Sequence, residues 1–210
     1  FRALAVLERE IKRRRAQKLA AAPEDVLDVV ATADPKVRTR ALAEVFISFV
    51  FATAGSVGFV LGWSLYLLGR HPETTAKPAW IVREALRLWP VAWLLGRRPA
   101  FPHDVAGEAV TPLDQVVVCP YAIQRNPRHW HDPQTFRPER WGEPYDSEAF
   151  LPFGWGPHRC VAGSLSMSWV EEVLTLLIDR YRMTFTFSDH PPTIAAASAT
   201  GSPNCCRIRR

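Results

Sequence analysis

The chain has 210 residues, of which 48% are hydrophobic, and it carries a formal net charge of +5 at pH 7. This length and apolar content allow a substantial buried core. The charge excess is modest, and no basic stripe interleaved with aromatic residues and no Gly-rich RNA motif accompanies it, so nucleic-acid binding is not expected. Four cysteines in a chain of this length do not indicate a disulfide framework.

The first element predicted along the chain is a basic amphipathic helix. Leu4, Leu7 and Ile11 recur at helical spacing, and the helix must end before Pro23. It includes four consecutive basic residues at 12–15, a cluster that is typical of a solvated helix face.

A long apolar segment follows, because residues 45–68 include no charged side chain. As a helix it would extend about 36 Å, which is enough to cross a bilayer. Four serine and threonine residues and three glycines argue against a membrane span, namely Ser48, Thr53, Ser56, Ser64, Gly55, Gly58 and Gly62. We therefore interpret the segment as a buried central helix and expect no membrane association.

Two further motifs come next in the chain. Glu84 and Arg87 lie in a helical pattern that ends at Trp89 and Pro90, and residues three apart share a helix face, where they can pair. Such a pair is common and means little alone. A stretch rich in Pro, Trp and Arg, residues 125–141, follows it.

The most informative motif is a Gly- and Pro-rich loop that ends at a cysteine. It runs from Phe153 to Cys160, and an amphipathic helix is predicted to follow, with apolar residues at Leu165, Trp169, Val173, Leu176 and Leu177. A thiol at a helix N-terminus faces the positive end of the helix dipole, which favours the thiolate. A thiolate placed in this way suits the axial position of a haem iron.

Together these motifs resemble the cytochrome P450 superfamily. Cys160 occupies the position of that family's haem-iron ligand, and Phe153, Gly154 and Gly156 precede it in the family's order. The glycine that normally stands two residues after the cysteine is Ala162, a small departure. The alternative, a structural cysteine in a turn, agrees with far fewer of these positions. The Ala- and Arg-rich, Lys-poor composition also fits a GC-rich bacterial source.

The resemblance covers nearly all of this chain but only the C-terminal half of the family fold. It implies one haem-binding domain over residues 1–210, mostly α-helical with small β elements near 116–119 and at the C-terminus, and with a long central helix over the haem. We expect the chain to be part of a larger protein or an unusually reduced family member. The connection from Glu73 to Glu84 is shorter than in the family, where another helix and a loop intervene.

The resemblance also implies roles for individual residues. Cys160 is the metal ligand, Arg97 and His158 bind the haem propionates, and Arg98 competes with Arg97 for that role. The alternative for the Arg doublet is an ordinary solvated pair. Arg140 joins the two helical residues to form a buried structural network, Glu84, Arg87 and Arg140.

The oxygen side of the central helix departs most from the family. By position, Gly55 replaces the usual acid and Ser56 replaces the usual Thr. Ser56 and Thr53 are therefore the candidate catalytic residues, because their hydroxyls can hydrogen-bond and pass protons. The alternative is that Ser56 bonds back to its own helix, as serines inside helices commonly do.

The implied function is insertion of one oxygen atom from O2 into a hydrophobic organic substrate, in keeping with secondary metabolism. Haem b is the implied cofactor, and NAD(P)H would supply electrons indirectly through a ferredoxin or a flavoprotein reductase. Such partners would dock on a basic face with candidate residues Arg125, Arg128, Arg137, Arg140 and Arg159, although Arg140 is expected to be buried. Two alternatives stay open: a peroxygenase or isomerase, which the missing acid permits, and a non-catalytic haem-binding or vestigial protein. A free thiolate and the lack of a signal peptide predict a cytoplasmic location.

Overall fold

The structure is a computed structural model that describes residues 2–17 and 22–185 and the backbone of 206–209. The described helices are α1 (Arg2–Ala16), α2 (Val26–Ala31), α3 (Thr39–Arg70), α4 (Pro78–Leu88), α5 (Pro120–Ile123) and α6 (Gly163–Arg180). The described strands are β1 (Leu95–Arg97), β2 (His103–Val105), β3 (Glu108–Val110), β4 (Val116–Val118), β5 (Arg182–Phe185) and β6 (Cys206–Arg209). The prediction of a mostly helical fold with small β elements is confirmed.

The chain divides into two compact units, Phe1–Gly55 and Ser56–Arg210, and the boundary falls within α3. In the first unit, α1 and α2 share a small apolar core around Ile11 and Leu27. Asp25 caps α2 by accepting a hydrogen bond from the backbone N–H of Asp28 at 2.8 Å. The N-cap of α2 and the apolar contacts between α1 and α2 stabilise these helices, because helices this short are marginally stable in isolation.

The basic cluster in α1 is not simply a solvated face. Arg14 is only 19% exposed and its Nη1 contacts both Asp25 Oδ1 and Asp28 Oδ1 at 2.6 Å. Arg15 donates to backbone carbonyls, among them those of Ala31 and Asp34. Two of the four basic residues therefore tie α1 to the segment that follows it, which corrects the prediction made from composition.

Helix α3 confirms the predicted helical segment, but the segment is not buried along its whole length. By length and composition this helix could cross a membrane, and only 11% of its most apolar window is buried. Phe49, Val50 and Phe51 are each more than half exposed. Leu42 and Ala43, before the predicted segment, are buried in the core of the first unit. Within the predicted 45–68 segment, burial begins at Phe59, where the helix enters the core of the second unit. The prediction of a buried helix therefore holds for its C-terminal turns and is wrong for the turns before them.

The core of the second unit lies where the end of α3 packs with α4 and α6. The fully buried indole of Trp63 stacks on Trp89 with 4.0 Å between ring centroids. Helix α4 begins with Pro78 in its first turn, where proline is tolerated, and ends at Leu88 just before Trp89 and Pro90. Two of its three charged residues, Glu84 and Arg87, are as buried as Ile81 and Val82, whereas Arg83 is only partly buried.

Three two-stranded antiparallel sheets complete the described structure, pairing β1 with β4, β2 with β3, and β5 with β6. The register places Leu95 opposite Val118 and Phe185 opposite Cys206. Strands β4 and β6 lie where β structure was predicted. The β2–β3 hairpin turns at Ala106 and Gly107, which both have positive φ.

Helix α6 forms as predicted, but it buries a different face. Val170 and Leu174 are its buried apolar side chains, and Leu177 of the predicted stripe also packs against the core. Leu165, Trp169, Val173 and Leu176 are at least 40% exposed. Within the described chain, most of the predicted apolar stripe is therefore a surface, because the elements packed against α6 meet its other side.

This difference predicts unequal costs for two chemically identical substitutions. Leu174→Ala should lower the free energy of unfolding by about 2–5 kcal/mol, since it leaves a cavity in the core. Leu176→Ala, two residues away on the exposed side, should cost less than about 1 kcal/mol. Urea unfolding followed by circular dichroism measures both, and equal losses would contradict the burial of α6 described above.

Candidate functional site

The cysteine-bearing loop closes on itself through backbone hydrogen bonds. The N–H of Cys160 donates to the carbonyl of Phe153 at 2.9 Å, and the N–H of Arg159 donates to that of Gly156 at 3.0 Å. Gly154 and Gly156 have φ values of 70° and 71°, a left-handed conformation that favours glycine. The backbone conformation of the loop therefore favours glycine at both of these positions before the cysteine.

The loop presents the thiol at the surface, just ahead of a long helix. Cys160 is free and exposed, and it lies three residues before the first residue of α6. No group of three or more His, Cys, Asp or Glu residues that could hold a metal ion occurs in the described part of the chain. A lone thiol of this kind suits a metal centre whose other ligands come from a prosthetic group.

The residues after the cysteine explain why one family glycine can be replaced. Ala162 is the N-cap residue of α6 and has φ −95° and ψ 13°, a negative φ that does not require glycine. Gly163 is different, because a Cβ there would lie 3.1 Å from Cγ of Phe153. The backbone therefore approaches the Phe153 ring closely at Gly163, and this contact aligns the cysteine loop on α6.

We expect Gly163→Ala to destabilise the protein by about 1–3 kcal/mol, because the Phe153 ring must shift to admit a methyl group. Gly58→Ala in α3 is the matched control, since among the described residues only the backbone of its own helix lies within 4 Å of an added Cβ. In the control, alanine should raise stability slightly through its better helix propensity. Thermal unfolding of both variants gives the measurement, and a gain at both sites would contradict the tight contact with Phe153.

The residues expected at the haem propionates are all exposed. Arg97 ends β1, pairs with Val116 in the sheet, and donates only to the neighbouring carbonyl of Gly96, at 2.9 Å. Arg98 and His158 are also exposed, and neither forms an ion pair with a described residue. All three side chains are free to bind an anionic group, and the choice between Arg97 and Arg98 stays a prediction.

The structure brings the three network residues together in the core. Glu84 and Arg87 are fully buried and Arg140 is 4% exposed. Arg87 donates to both carboxylate oxygens of Glu84, from Nη2 at 2.7 Å and from Nε at 3.0 Å, and Arg140 Nε donates to Oε1 at 3.1 Å. The sequence analysis missed Trp141, whose Nε1 donates to Oε2 of Glu84 at 3.1 Å.

The remaining guanidinium nitrogens of the network bind backbone carbonyls. Arg87 Nη1 donates to the carbonyls of Gln124 and Pro133, and Arg140 Nη1 donates to that of His131. Burial lowers the pKa of Arg140, and the nearby Glu84 carboxylate opposes that shift. Because each buried charge has partners, the network braces α4 against the 131–141 segment.

Gln124 is a second residue that the sequence analysis missed. Its buried side chain donates from Nε2 to the carbonyls of Leu86 and Arg87, each at 3.0 Å, and accepts from the N–H of Leu151 at 2.8 Å. It therefore joins the end of α4 to the start of the cysteine loop. In the sequence, Gln124 is distinguished only as an uncharged polar residue that directly follows the apolar residues of α5.

Arg125, expected on a basic docking face, is instead 9% exposed. Its guanidinium lies 3.8 Å from the ring centroid of Tyr121 and 5.1 Å from that of Trp89, and Nε donates to Gln134. Burial lowers the pKa of Arg125 to about 10. Arg140 is likewise in the core, so of the five predicted arginines only Arg128 and Arg159 are exposed, with Arg137 partly so.

The two candidate catalytic hydroxyls lie on α3. Thr53 is exposed and Ser56 is partly buried, and no hydrogen bond of either hydroxyl is found within the described residues. Ser64 and Ser48, by contrast, donate to the carbonyls of Val60 and Val45. The alternative in which Ser56 bonds back to its own helix is therefore not what the structure shows.

Fold and site together define a mostly helical protein organised around a cysteine-bearing loop and a buried carboxylate–guanidinium network. The Cytochrome P450 family model matches residues 79–204. Human cytochrome P450 4V2 is 28% identical over 167 residues, which cover 64% of this chain and 31% of that protein. Cyclooctat-9-en-7-ol 5-monooxygenase of Streptomyces melanosporofaciens is 25% identical over 165 residues, covering 65% of this chain and 36% of that protein.

Among solved structures, the cytochrome P450DA heme domain superposes with a TM-score of 0.80 at 21% identity, covering 98% of this chain and 52% of that one. The chain belongs to the cytochrome P450 family. It spans about a third of the length of the curated relatives it matches. Membership of this family implies haem b as the cofactor, and the lone exposed thiol of Cys160 fits an iron that takes four ligands from a porphyrin.

Proposed function

We propose that the chain is the C-terminal, haem-binding part of a haem-thiolate monooxygenase, which inserts one oxygen atom of O2 into a hydrophobic organic substrate. The observation that carries this proposal is the free, exposed thiol at the end of the closed 153–160 loop in a member of the cytochrome P450 family. Thiolate-ligated haem, when bound, supplies O2 activation because the sulfur donates electron density that favours O–O cleavage.

The residues proposed to hold the haem each supply one kind of contact. Cys160 ligates the iron through Sγ, while Arg97 or Arg98 and His158 bind the propionates. Support for these roles comes from the exposure of all four side chains and from the lack of competing ion pairs to described residues. Phe153, Gly154 and Gly156 shape the loop that holds the thiol in place.

Proton delivery is the proposed role of the α3 hydroxyls. Gly55 stands where the family has an acid, so the chain lacks a carboxylate there. Ser56 Oγ, with Thr53 Oγ1 as the second candidate, would hold and pass a proton together with water. The uncommitted Ser56 hydroxyl supports this assignment within the described structure.

Ser56→Ala should therefore lower O2-dependent turnover by about tenfold to a hundredfold. Turnover driven by hydrogen peroxide should change much less, because peroxide brings its own protons. Ser48→Ala is the control, since its hydroxyl is bonded to the carbonyl of Val45. Equal losses of both activities in Ser56→Ala would contradict a proton-delivery role.

For the substrate and the redox partners we propose chemical classes, and for the location we propose a compartment. The apolar α3 and the Streptomyces relative, whose name states oxidation of cyclooctat-9-en-7-ol, support a hydrophobic small-molecule substrate in secondary metabolism. Electrons would come from NAD(P)H through a ferredoxin or a flavoprotein reductase, and Arg128 and Arg159 are the exposed arginines available to an acidic partner. A free thiolate ligand fits the reducing cytoplasm.

The test is product formation by the haem-loaded protein with NADPH, a ferredoxin and its reductase under 18O2, against a panel of hydrophobic probes. One 18O atom in a product, formed only with the reductase, is the expected result. Products formed only when peroxide is added would favour the peroxygenase alternative. A haem-loaded protein with no turnover under either condition would favour the non-catalytic alternative.

A further inference from the structure

The second unit contains a cavity of about 420 Å³ beside the cysteine loop, which we call the loop cavity. The loop contributes Phe153, Gly154, Trp155 and Arg159, and α6 contributes Ser164 and Met167. Neither Cys160 nor His158 lines it, so it is separate from the proposed iron ligand. Its volume falls within the range of small-molecule sites.

The walls of the loop cavity combine aromatic rings with two guanidinium groups. Tyr145, Phe150, Phe153 and Trp155 provide the rings. Arg83 and Arg159 provide the positive charge. Aromatic side chains bind an aromatic ring by stacked or edge-to-face contacts. The apolar part of a ligand for this cavity is therefore expected to be an aromatic ring.

Neither arginine of the loop cavity has a direct ion-pair partner in the described structure. Arg83 is partly buried, with its guanidinium 5.8 Å from the ring centroid of Trp141, and Arg159 is exposed. Neither forms an ion pair within the described residues, although other arginines of the same unit, such as Arg87 and Arg137, do. Their unpaired N–H donors match the bidentate geometry of a carboxylate.

One acidic residue limits the charge of the ligand. The carboxylate of Glu148 also lines the loop cavity, so the formal charge of its walls is +1 rather than +2. A monoanion fits this balance better than a dianion does. Ser147 and Ser164 add hydroxyls, and Ser164 lies in the first turn of α6, where the helix dipole favours negative charge.

We propose that the loop cavity binds a small aromatic monocarboxylate, its ring against the aromatic walls and its carboxylate between Arg83 and Arg159. This goes beyond the proposed monooxygenase function, because it requires neither haem nor O2. The concave shape and the aromatic walls favour a small molecule over an acidic protein surface, which would need only the exposed charge of Arg159.

The test uses calorimetric titration of the full chain with 2-naphthoate and with its neutral isostere 2-naphthamide. We expect one naphthoate per chain and about tenfold weaker binding of the amide. Arg83→Gln and Arg159→Gln should each weaken naphthoate about tenfold and leave the amide unchanged. Arg182→Gln, which removes an exposed arginine from β5 outside the cavity, is the control and should bind naphthoate normally.

Thermal unfolding of each variant shows whether a lost affinity reflects a lost fold. Equal binding of naphthoate and naphthamide, or unchanged naphthoate affinity in folded Arg83→Gln and Arg159→Gln, would overturn the proposal. So would binding of an acidic ferredoxin that depends on these arginines while 2-naphthoate does not bind, since that result assigns them to a protein surface.

Discussion

The Cys160→Ser variant is expected to lose the strongly red-shifted Soret band of the ferrous–CO complex. The proposed haem site offers one thiol as its iron ligand, and a serine hydroxyl does not supply the electron density of a thiolate. The variant should also lose O2-dependent turnover. The loop itself should survive, because its closing hydrogen bonds run between backbone atoms such as Cys160 N and Phe153 O.

Cys119→Ser is the matched control for this experiment. Cys119 is the other free cysteine within the described residues, and it is partly buried just before α5. Its variant should keep the red-shifted band. A band that persists in Cys160→Ser, or disappears in Cys119→Ser, would assign the ligand to a different residue.

The second large effect is expected at Glu84. Glu84→Gln should reduce the free energy of unfolding by about 3–5 kcal/mol, because it leaves Arg87 and Arg140 buried without a counter-charge. The glutamine amide would also place N–H donors opposite groups that are themselves donors, including the indole N–H of Trp141, so some of these hydrogen bonds would be lost. Urea unfolding of the purified variant measures the loss, and failure to accumulate as folded protein counts as the same result.

Glu143→Gln provides the comparison for that substitution. Glu143 pairs with Arg137 at 2.8 Å but is 58% exposed, so the loss of this pair should cost less than about 1 kcal/mol. If Glu84→Gln lay within about 1 kcal/mol of the unmodified chain, the network would not be the brace that its hydrogen bonds indicate.

Much of the site could be predicted from motifs because its chemistry is local. The order of Phe153, Gly154, Gly156 and Cys160 reflects turn geometry that two left-handed glycines satisfy, and such geometry is encoded within a few residues. The partners of Glu84 were harder to predict. Its bond to Trp141 spans 57 positions, and nothing in the local pattern around either residue indicates it.

Burial was predicted less well than secondary structure. Helical spacing identified α6 and its apolar stripe, but Leu165 and Trp169 of that stripe are both 53% exposed in this chain. Periodicity shows which residues share a face and does not show which face meets another element. Strands β1 to β3 and β5 were missed for a different reason: three or four residues are too few for an alternating pattern to stand out, whereas β4, equally short, is a run of three valines.

The central claim is that this chain holds haem through the thiolate of Cys160. The most direct measurement is the ferrous–CO difference spectrum of the purified 23.7 kDa chain after haem loading, with the intact mass taken from the same sample. We predict a strongly red-shifted Soret band from protein of that mass. Haem bound without the shifted band, or a folded chain of that mass that takes up no haem, would contradict thiolate ligation by Cys160.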